Sequence, residues 1–205
     1  MHGYAKLFLS TLFFVDHPKR ILIIGLGGGS VQKALNRLLP NAYIDTVELN
    51  QDLPALVQQY FHYQEDKHNK IFIQDGIDFV KEVKPDQYDI ILLDAFDKDY
   101  IPSGFLTDEF MQNVKNLLTH NGVIAINSFA KSKLEQLESS LFKNNFGDYY
   151  NMQMNNSRIM LASKHGLPEL DQVRHSTILW HYRFAEIECD ANRIFQLIKS
   201  TSQHP

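Results

Sequence analysis

The sequence predicts an α/β fold in which helices cover both faces of a mostly parallel, seven-stranded sheet. Three observations predict it. Strand-like and helix-like segments alternate through the first 130 residues, which is typical of parallel strands joined by helices. Some strand-like runs are continuously apolar, as in Ile90-Ile91-Leu92-Leu93, which predicts burial on both faces. Two strand-like runs near residue 150 are separated only by a short turn containing Asn155-Asn156, which predicts a terminal antiparallel hairpin.

Each element has its own local evidence. We expect an apolar helix over residues 7–15 that packs on the sheet before the first strand. Five parallel strands are then expected over residues 21–25, 43–48, 70–74, 88–94 and 123–127, the last entered through Asn121-Gly122. The helices are expected over residues 30–39, 52–61, 107–118 and 131–144, with Ser30 capping the first and Thr107 the third.

The C-terminal part changes character. The hairpin strands are expected over residues 148–154 and 158–163, followed by one or two helices. A parallel sheet that ends in a hairpin is typical of the Rossmann-like class I S-adenosylmethionine-dependent methyltransferase fold, whereas dinucleotide dehydrogenases usually keep the last strands parallel. We expect residues 1–166 to form a nucleoside-binding domain, and residues 167–205 a helical extension of it without chemistry of its own.

Composition limits the classes of partner. A chain of 205 residues with 44% hydrophobic residues predicts one folded domain. A net charge of −4 and the lack of basic clusters argue against nucleic acid, and no apolar run reaches the roughly 18 residues of a membrane span. The single cysteine, Cys189, excludes an intramolecular disulfide and fits a cytoplasmic location. The nine histidines lack zinc-ligand spacing, so we expect no metal.

The loop after the first strand predicts a nucleotide-like ligand. Gly25-Leu26-Gly27-Gly28-Gly29-Ser30 follows the apolar run Ile21-Leu22-Ile23-Ile24, and glycines allow the backbone to approach a ligand closely. Ser30 stands where a dinucleotide fingerprint would have its third glycine, so the loop does not identify NAD. We expect Gly25 and Gly27 to contact the ligand.

Acidic residues follow the next strands of the sheet. Glu48, Asp75 and Asp94 each stand at or just after the carboxyl end of a predicted strand, and those ends converge at one crevice. Glu48 could accept hydrogen bonds from two ribose hydroxyls, and Asp75 from an adenine amino group, with the Gly76 backbone completing the base site. Any one of these carboxylates could instead be a helix cap or a loop acid. Together with the glycines after the first strand, however, they place candidate contacts at the ends of four strands, which favours ligand binding.

A second pair of carboxylates favours chemistry on an amine. Asp94 and Asp97 lie three residues apart on the loop after the fourth strand. An alkylammonium must lose a proton before it can act as a nucleophile, and a carboxylate can bind the cation and take that proton. The alternative is a solvated, mobile loop. Tyr100, on the same loop, could act as a gate to the substrate site.

Residues 4–163 resemble the spermidine synthase (polyamine aminopropyltransferase) superfamily, especially its bacterial spermidine synthase-like members. The resemblance is carried by residues 17–30, Val47-Glu48, Gln74-Asp75-Gly76, residues 89–97, Ile101-Pro102 and Asn121-Gly122-Val123. It implies no permanent cofactor and a co-substrate such as decarboxylated S-adenosylmethionine, with Glu48 on the ribose and Asp75 on the adenine. It also implies that Asp94 is the base acting on a diamine such as putrescine and that Asp97 lies beside the acceptor amine. Family members are commonly dimers or tetramers, so the resemblance is also compatible with a homodimer.

Three departures from that family keep other functions open. Spermidine synthases carry an aspartate where Gly28 stands, and they usually have Asp-Pro where this chain has Asp97-Lys98. They also begin with a small β domain, whereas here Met1 stands too close to the first predicted strand to leave room for one. The resemblance therefore implies that much of the polyamine pocket is absent. Methyl transfer from S-adenosylmethionine, a non-catalytic binding module and, least favoured, a dehydrogenase remain alternatives.

Overall fold

The computed structural model describes residues 3–96 and 101–201, which form one eight-stranded sheet in the order β3-β2-β1-β4-β5-β7-β6-β8. The strands are β1 Arg20–Ile24, β2 Tyr43–Glu48, β3 Asn69–Ile73, β4 Tyr88–Leu93, β5 Leu118–Phe129, β6 Tyr150–Met154, β7 Ser157–Ser163 and β8 Lys199–Ser200. Strands β1 to β5 are mutually parallel, and β7 pairs antiparallel with both β5 and β6. The predicted parallel sheet with a terminal hairpin is confirmed.

Helices cover both faces of this sheet. They are α1 Gly3–Phe8, α2 Ser30–Leu38, α3 Leu53–Phe61, α4 Gly76–Glu82, α5 Asp108–Leu117, α6 Glu135–Phe146, α7 Leu170–Ala185 and α8 Ala191–Phe195, with 3₁₀ turns at Leu9–Phe13 and Ser103–Phe105. Within the described parts of the chain, no helix has the length and apolar character needed to cross a membrane.

Alternate residues of each central strand enter different cores. In β1, Ile21 and Ile23 belong to the core formed with α1, α2, α7 and α8, whereas Leu22 and Ile24 belong to the core formed with α4, α5 and α6. Successive side chains of a strand point to opposite faces, so an unbroken apolar run is what a sheet buried on both sides requires.

The N-terminal 3₁₀ turn and the C-terminal helices pack together on one face of the sheet. Phe13, in the N-terminal 3₁₀ turn, stacks on Phe184 of α7 with ring centroids 5.7 Å apart, and both side chains are buried. Ile194 and Ile198 are buried in the same core. The division of the chain at residue 166 stays a prediction.

Several boundaries differ from those expected. Helix α4 was not anticipated, and α6 begins at Glu135 rather than near residue 131. Strand β5 is longer than expected, because Asn121-Gly122 lies within it, where the pairing register with β4 shifts between Tyr88 and Ile90. A two-residue eighth strand, β8, pairs with the edge of β6 beyond the seven expected strands.

The expected cap at Ser30 is wrong. Gly29, with φ at +68°, occupies the N-cap position of α2, Ser30 is the first helical residue, and no side-chain cap hydrogen bond forms there. The cap at Thr107 is correct, because its hydroxyl accepts a hydrogen bond from the Phe110 N–H. A left-handed residue before the helix suits glycine, whereas a serine cap adopts extended backbone.

Candidate active site

A cavity of about 550 Å³ opens at the carboxyl ends of β1, β2, β3 and β4. All six residues expected to contact the nucleoside line it: Gly25, Gly27, Glu48, Asp75, Gly76 and Asp94. The parallel sheet brings these residues together because each follows a strand whose carboxyl end reaches the same edge.

Gly25 is required where the ends of β1 and β4 approach each other. Its φ is +106°, and a Cβ atom there would stand 2.4 Å from the Asp94 carbonyl oxygen. Its N–H donates to the Val47 carbonyl at 2.8 Å, so the chain turns out of the sheet at this residue. A side chain at position 25 would push Asp94 away from the cavity.

Glu48 is held by the two loops beside it. The Leu26 N–H donates to Oε2 at 2.9 Å, and the Asn50 N–H donates to Oε1 at 2.8 Å. Each carboxylate oxygen can accept more than one hydrogen bond, so both retain capacity for further donors. The two backbone contacts fix the side chain at the cavity wall.

Asp75 is a helix cap as well as a cavity residue. It occupies the N-cap position of α4, and its Oδ1 accepts a hydrogen bond from the Ile77 N–H at 2.7 Å. The next residue, Gly76, packs so closely that a Cβ atom would stand 2.6 Å from Ile24 Cγ2. The capping alternative weighed for Asp75 is therefore present together with the lining position.

Asp94 lies in the cavity with a raised carboxyl pKa. It follows β4 directly, and burial raises the pKa of its carboxyl to about 7, against the opposing effect of a hydrogen bond from Asn127. Asn127 Nδ2 donates to Asp94 Oδ1 at 2.9 Å. A carboxyl whose pKa lies near neutrality can both take up and release a proton under physiological conditions.

Tyr4 is a cavity residue that sequence reasoning missed. It comes from α1 and lines the cavity, and its phenol has a pKa raised to about 12 by burial and by the nearby Asp94 charge. The apolar N-terminal segment indicated a packing helix, and it does pack, but no spacing pattern shows that one tyrosine of that helix turns toward the strand ends.

The charge of the lining limits the ligand. Three acids contribute to the wall, and the described residues lining the cavity include no lysine, arginine or histidine. Apolar contacts come from side chains such as Ile77 and Phe105. Such a cavity favours a neutral or cationic ligand with an apolar ring over a pyrophosphate. The predicted residues Asp97 and Tyr100 lie outside the described parts of the chain.

Comparisons with known proteins agree with this picture. Residues 4–164 match the model of the spermine/spermidine synthase domain. A polyamine aminopropyltransferase of Vibrio vulnificus (strain CMCP6) is 38% identical over 170 residues, which cover 80% of this chain and 57% of that protein. The human eEF1A lysine and N-terminal methyltransferase is 32% identical over 125 residues, covering 55% of this chain and 18% of that enzyme. This chain thus spans little more than half the length of the aminopropyltransferase.

Solved structures share the fold. Human methyltransferase-like protein 13 in complex with SAH superposes with a TM-score of 0.78 at 22% identity, covering 96% of this chain and 93% of that one. A spermidine synthase in complex with the transition-state analogue AdoDATO gives a TM-score of 0.70 at 19% identity, covering 78% of this chain and 60% of that one. The predicted Rossmann-like methyltransferase fold is confirmed.

Proposed function

The chain belongs to the spermine/spermidine synthase family, and from that premise we propose that it is a transferase that moves an aminopropyl group from a sulfonium nucleoside to an amine. The co-substrate is decarboxylated S-adenosylmethionine and the acceptor is a polyamine precursor such as putrescine. The observation that carries the proposal is a single cavity lined by three carboxyl groups and, among its described residues, by no basic side chain. Both substrates are cations, which such a lining attracts.

Glu48 and Asp75 bind the nucleoside half of the ligand. Two acceptor oxygens held by backbone N–H groups suit the paired hydroxyls of a ribose, so Glu48 takes the sugar. Asp75 accepts from the exocyclic amine of adenine, and the Gly76 backbone completes the base site. The glycines at positions 25 and 27 let the backbone approach the sulfonium end of the ligand.

Asp94 supplies the chemistry. It takes a proton from the acceptor's ammonium group, and the freed nitrogen lone pair attacks the methylene carbon of the aminopropyl group that is bonded to the sulfonium sulfur. The carbon–nitrogen bond forms as the carbon–sulfur bond breaks, and the bonding electrons return to sulfur, giving neutral methylthioadenosine. The sulfonium is already a good leaving group, so the enzyme contributes mainly orientation and a neutral amine.

The state of Asp94 suits this role. Its pKa of about 7 leaves a substantial ionised fraction at neutral pH. An ammonium group arriving beside the carboxyl favours the ionised form further, so acceptor binding itself generates the base. Asp97 seats the acceptor amine and Tyr100 closes the substrate side in this proposal, and Tyr4 contributes a phenol to the wall near Asp94.

Calorimetry and product analysis test the proposal. Titration with decarboxylated S-adenosylmethionine, S-adenosylmethionine, methylthioadenosine and NAD ranks the ligands, and the decarboxylated form should bind most tightly of the two sulfonium compounds. Incubation with putrescine should then yield spermidine by mass spectrometry. Asp94→Asn should abolish the product and keep methylthioadenosine binding, whereas Asp148→Asn, at an exposed acid outside the cavity, should change neither. Full turnover by Asp94→Asn would remove the base role.

Methyl transfer from S-adenosylmethionine is the second candidate. It is favoured by Gly28, which stands where spermidine synthases carry an aspartate, and by the 32% identity to the human eEF1A lysine and N-terminal methyltransferase. Against it, the described cavity residues offer no basic group to pair with that carboxylate. Tight S-adenosylmethionine binding together with a methylated acceptor would establish it, and no heat with any nucleoside would favour a non-catalytic module.

A further inference from the structure

We propose that Asn127 is a positioning residue of this site: its buried amide holds the Asp94 carboxyl at the cavity wall and supports it in both of its protonation states. The functional meaning of this inference rests on the proposed base role of Asp94. The structural part concerns the free protein and can be tested without any substrate.

The sheet places the two side chains together. Strands β4 and β5 are parallel neighbours with Leu93 opposite Ile126, so Asp94, the first residue after β4, lies beside Asn127, which is still within β5. Asn127 is 3% exposed and its Nδ2 donates to Asp94 Oδ1 at 2.9 Å. Asn127 is not among the described residues that line the cavity, so it acts through Asp94 rather than on the ligand.

The other end of the Asn127 amide is the second observation. Its Oδ1 is buried and has no hydrogen-bond partner among the described residues. A buried polar atom left unpaired is costly, and a half-turn of the amide would exchange Oδ1 and Nδ2. The exchanged orientation presents an acceptor to a protonated Asp94, whose O–H can then donate. One amide can thus serve the carboxylate as a donor and the carboxylic acid as an acceptor, but the structure has the donating orientation, so the amide supports the ionised form more strongly.

The strand end that carries Asn127 is anchored independently. The next residue, Ser128, donates its hydroxyl to Glu138 Oε2 at 2.6 Å, and Glu138 is paired with the buried Arg158. Ser128, Glu138 and Arg158 interact with one another and not with Asp94, so they hold the backbone of β5 without touching the acid. Ser128 also provides a matched control, because it shares the strand, the burial and the loss of one hydrogen bond on substitution.

Three other titratable side chains line the same cavity as Asp94. Tyr4 comes from α1, Glu48 from the end of β2 and Asp75 from the start of α4. Substitution of Asn127 leaves all three in place. A change in the titration of Asp94 in such a variant therefore reports on the amide.

The experiment is a carbon-13 NMR titration of the Asp94 carboxyl, assigned by the signal lost in Asp94→Asn. Asn127→Leu removes the hydrogen bond donated to the carboxylate, so it should raise the pKa of Asp94. We expect a rise of about one unit, which corresponds to about 1.4 kcal/mol in the free energy of ionisation. Asn127→Ser keeps a hydroxyl that can donate and accept, so the pKa should stay closer to that of the wild type. Ser128→Ala should lower the unfolding midpoint in urea and leave the Asp94 titration unchanged.

Two results would overturn the inference. An unchanged Asp94 titration in both Asn127 variants would reduce Asn127 to a packing residue, and an equal shift in Ser128→Ala would assign the effect to the backbone of β5. If Asn127→Leu does not fold, Asn127→Ala, which also removes the amide, should show the same rise in the pKa of Asp94 and decides the point. Should the titration shift as expected while Asp94→Asn retains turnover, the positioning role stands and the proposed base role fails.

Discussion

Individual glycines of the loop after β1 have different duties. Gly25 combines a φ of +106° with a Cβ position 2.4 Å from a backbone oxygen, so no other residue fits there. At Gly28 the atoms nearest to a Cβ would be those of the Phe61 ring, at an ordinary 3.8 Å. The backbone and the packing therefore permit a side chain at position 28, where Gly28 and Phe61 line a second cavity beside the candidate site.

Gly28→Asp should consequently fold, and it tests whether an acid next to Gly27 acts on the ligand. A carboxylate beside Gly27, which lines the cavity, attracts the ammonium tail of the decarboxylated nucleoside and repels the carboxylate of S-adenosylmethionine. We expect the affinity ratio of the two, measured by calorimetry, to move toward the decarboxylated form by about tenfold, which corresponds to about 1.4 kcal/mol. Gly25→Ala is the control and should lose binding of both. An unchanged ratio in Gly28→Asp would show that position 28 does not face the tail.

Asp94 should make the stability of the free protein depend on pH. In the unfolded chain its carboxyl ionises near the ordinary value of 3.8, whereas burial holds the native pKa at about 7. Between these values the native state binds more protons, so the free energy of unfolding falls as the pH rises, by about 1.4 kcal/mol per unit and about 4 kcal/mol in all. Urea unfolding across this range should show the fall in the wild type and much less of it in Asp94→Asn. Parallel profiles for the two proteins would contradict the raised pKa.

At the scale of elements, the two helix starts predicted from a hydroxyl residue had different outcomes. Thr107 caps α5 as expected, and its Oγ1 accepts from the Phe110 N–H at 3.2 Å. Ser30 is of the same chemical type but begins α2 without a cap bond. The difference lies in Gly29, whose left-handed backbone turns the chain from the loop into the helix.

The two hydroxyl residues therefore form a matched pair. Thr107→Ala should lower the free energy of unfolding by about 1 kcal/mol, because the first turn of α5 loses an acceptor for one of its unpaired N–H groups. Ser30→Ala should change it by less than about 0.5 kcal/mol. Urea denaturation of both variants measures the contrast. Equal losses would mean that Ser30 caps α2 in solution.

The hairpin strand β7 brings a charge into the core. Arg158 is 1% exposed and pairs with Glu138, which is equally buried, and with Glu135 at 3.0 Å. Removing one partner leaves a buried charge uncompensated, so Arg158→Met should cost about 3 to 5 kcal/mol in urea unfolding. Adding Glu138→Leu should recover part of the loss. A double variant that loses as much as the two single variants together would show that the pair is not coupled.

The sequence predicted the sheet and the strand-end residues because both follow from patterns read along the chain. Apolar runs and glycines located β1 and β4, and the carboxyl-end rule gathered Glu48, Asp75 and Asp94 before any coordinates. Tyr4 and Asn127 escaped because their roles depend on which neighbour each meets after folding. The short helix α4 escaped because seven residues give too little periodicity.

At the scale of the whole molecule, the C-terminal helices complete a core that the N-terminal part leaves open. Phe184 of α7 is fully buried, stacks on Phe13 and lies beside Trp180, with ring centroids 5.7 Å apart in both pairs. The same core includes Ile21 and Ile23 of β1, the strand that leads into the glycine loop. Loss of the helices would thus uncover one face of the sheet beneath the site.

We therefore expect helices α7 and α8 to unfold together with the rest of the described chain. Trp180 is the single tryptophan, so its fluorescence reports on α7 alone, while far-ultraviolet circular dichroism reports on all helices and strands. One shared core requires the two probes to give coincident transitions in urea. Phe184→Ala should move both midpoints downward together, with a loss of about 3 to 5 kcal/mol in the free energy of unfolding, because it leaves a void in the core between the N-terminal 3₁₀ turn and α7. A fluorescence midpoint well below the dichroism midpoint would instead make the C-terminal helices a separately stable addition to a nucleoside-binding domain that folds without them.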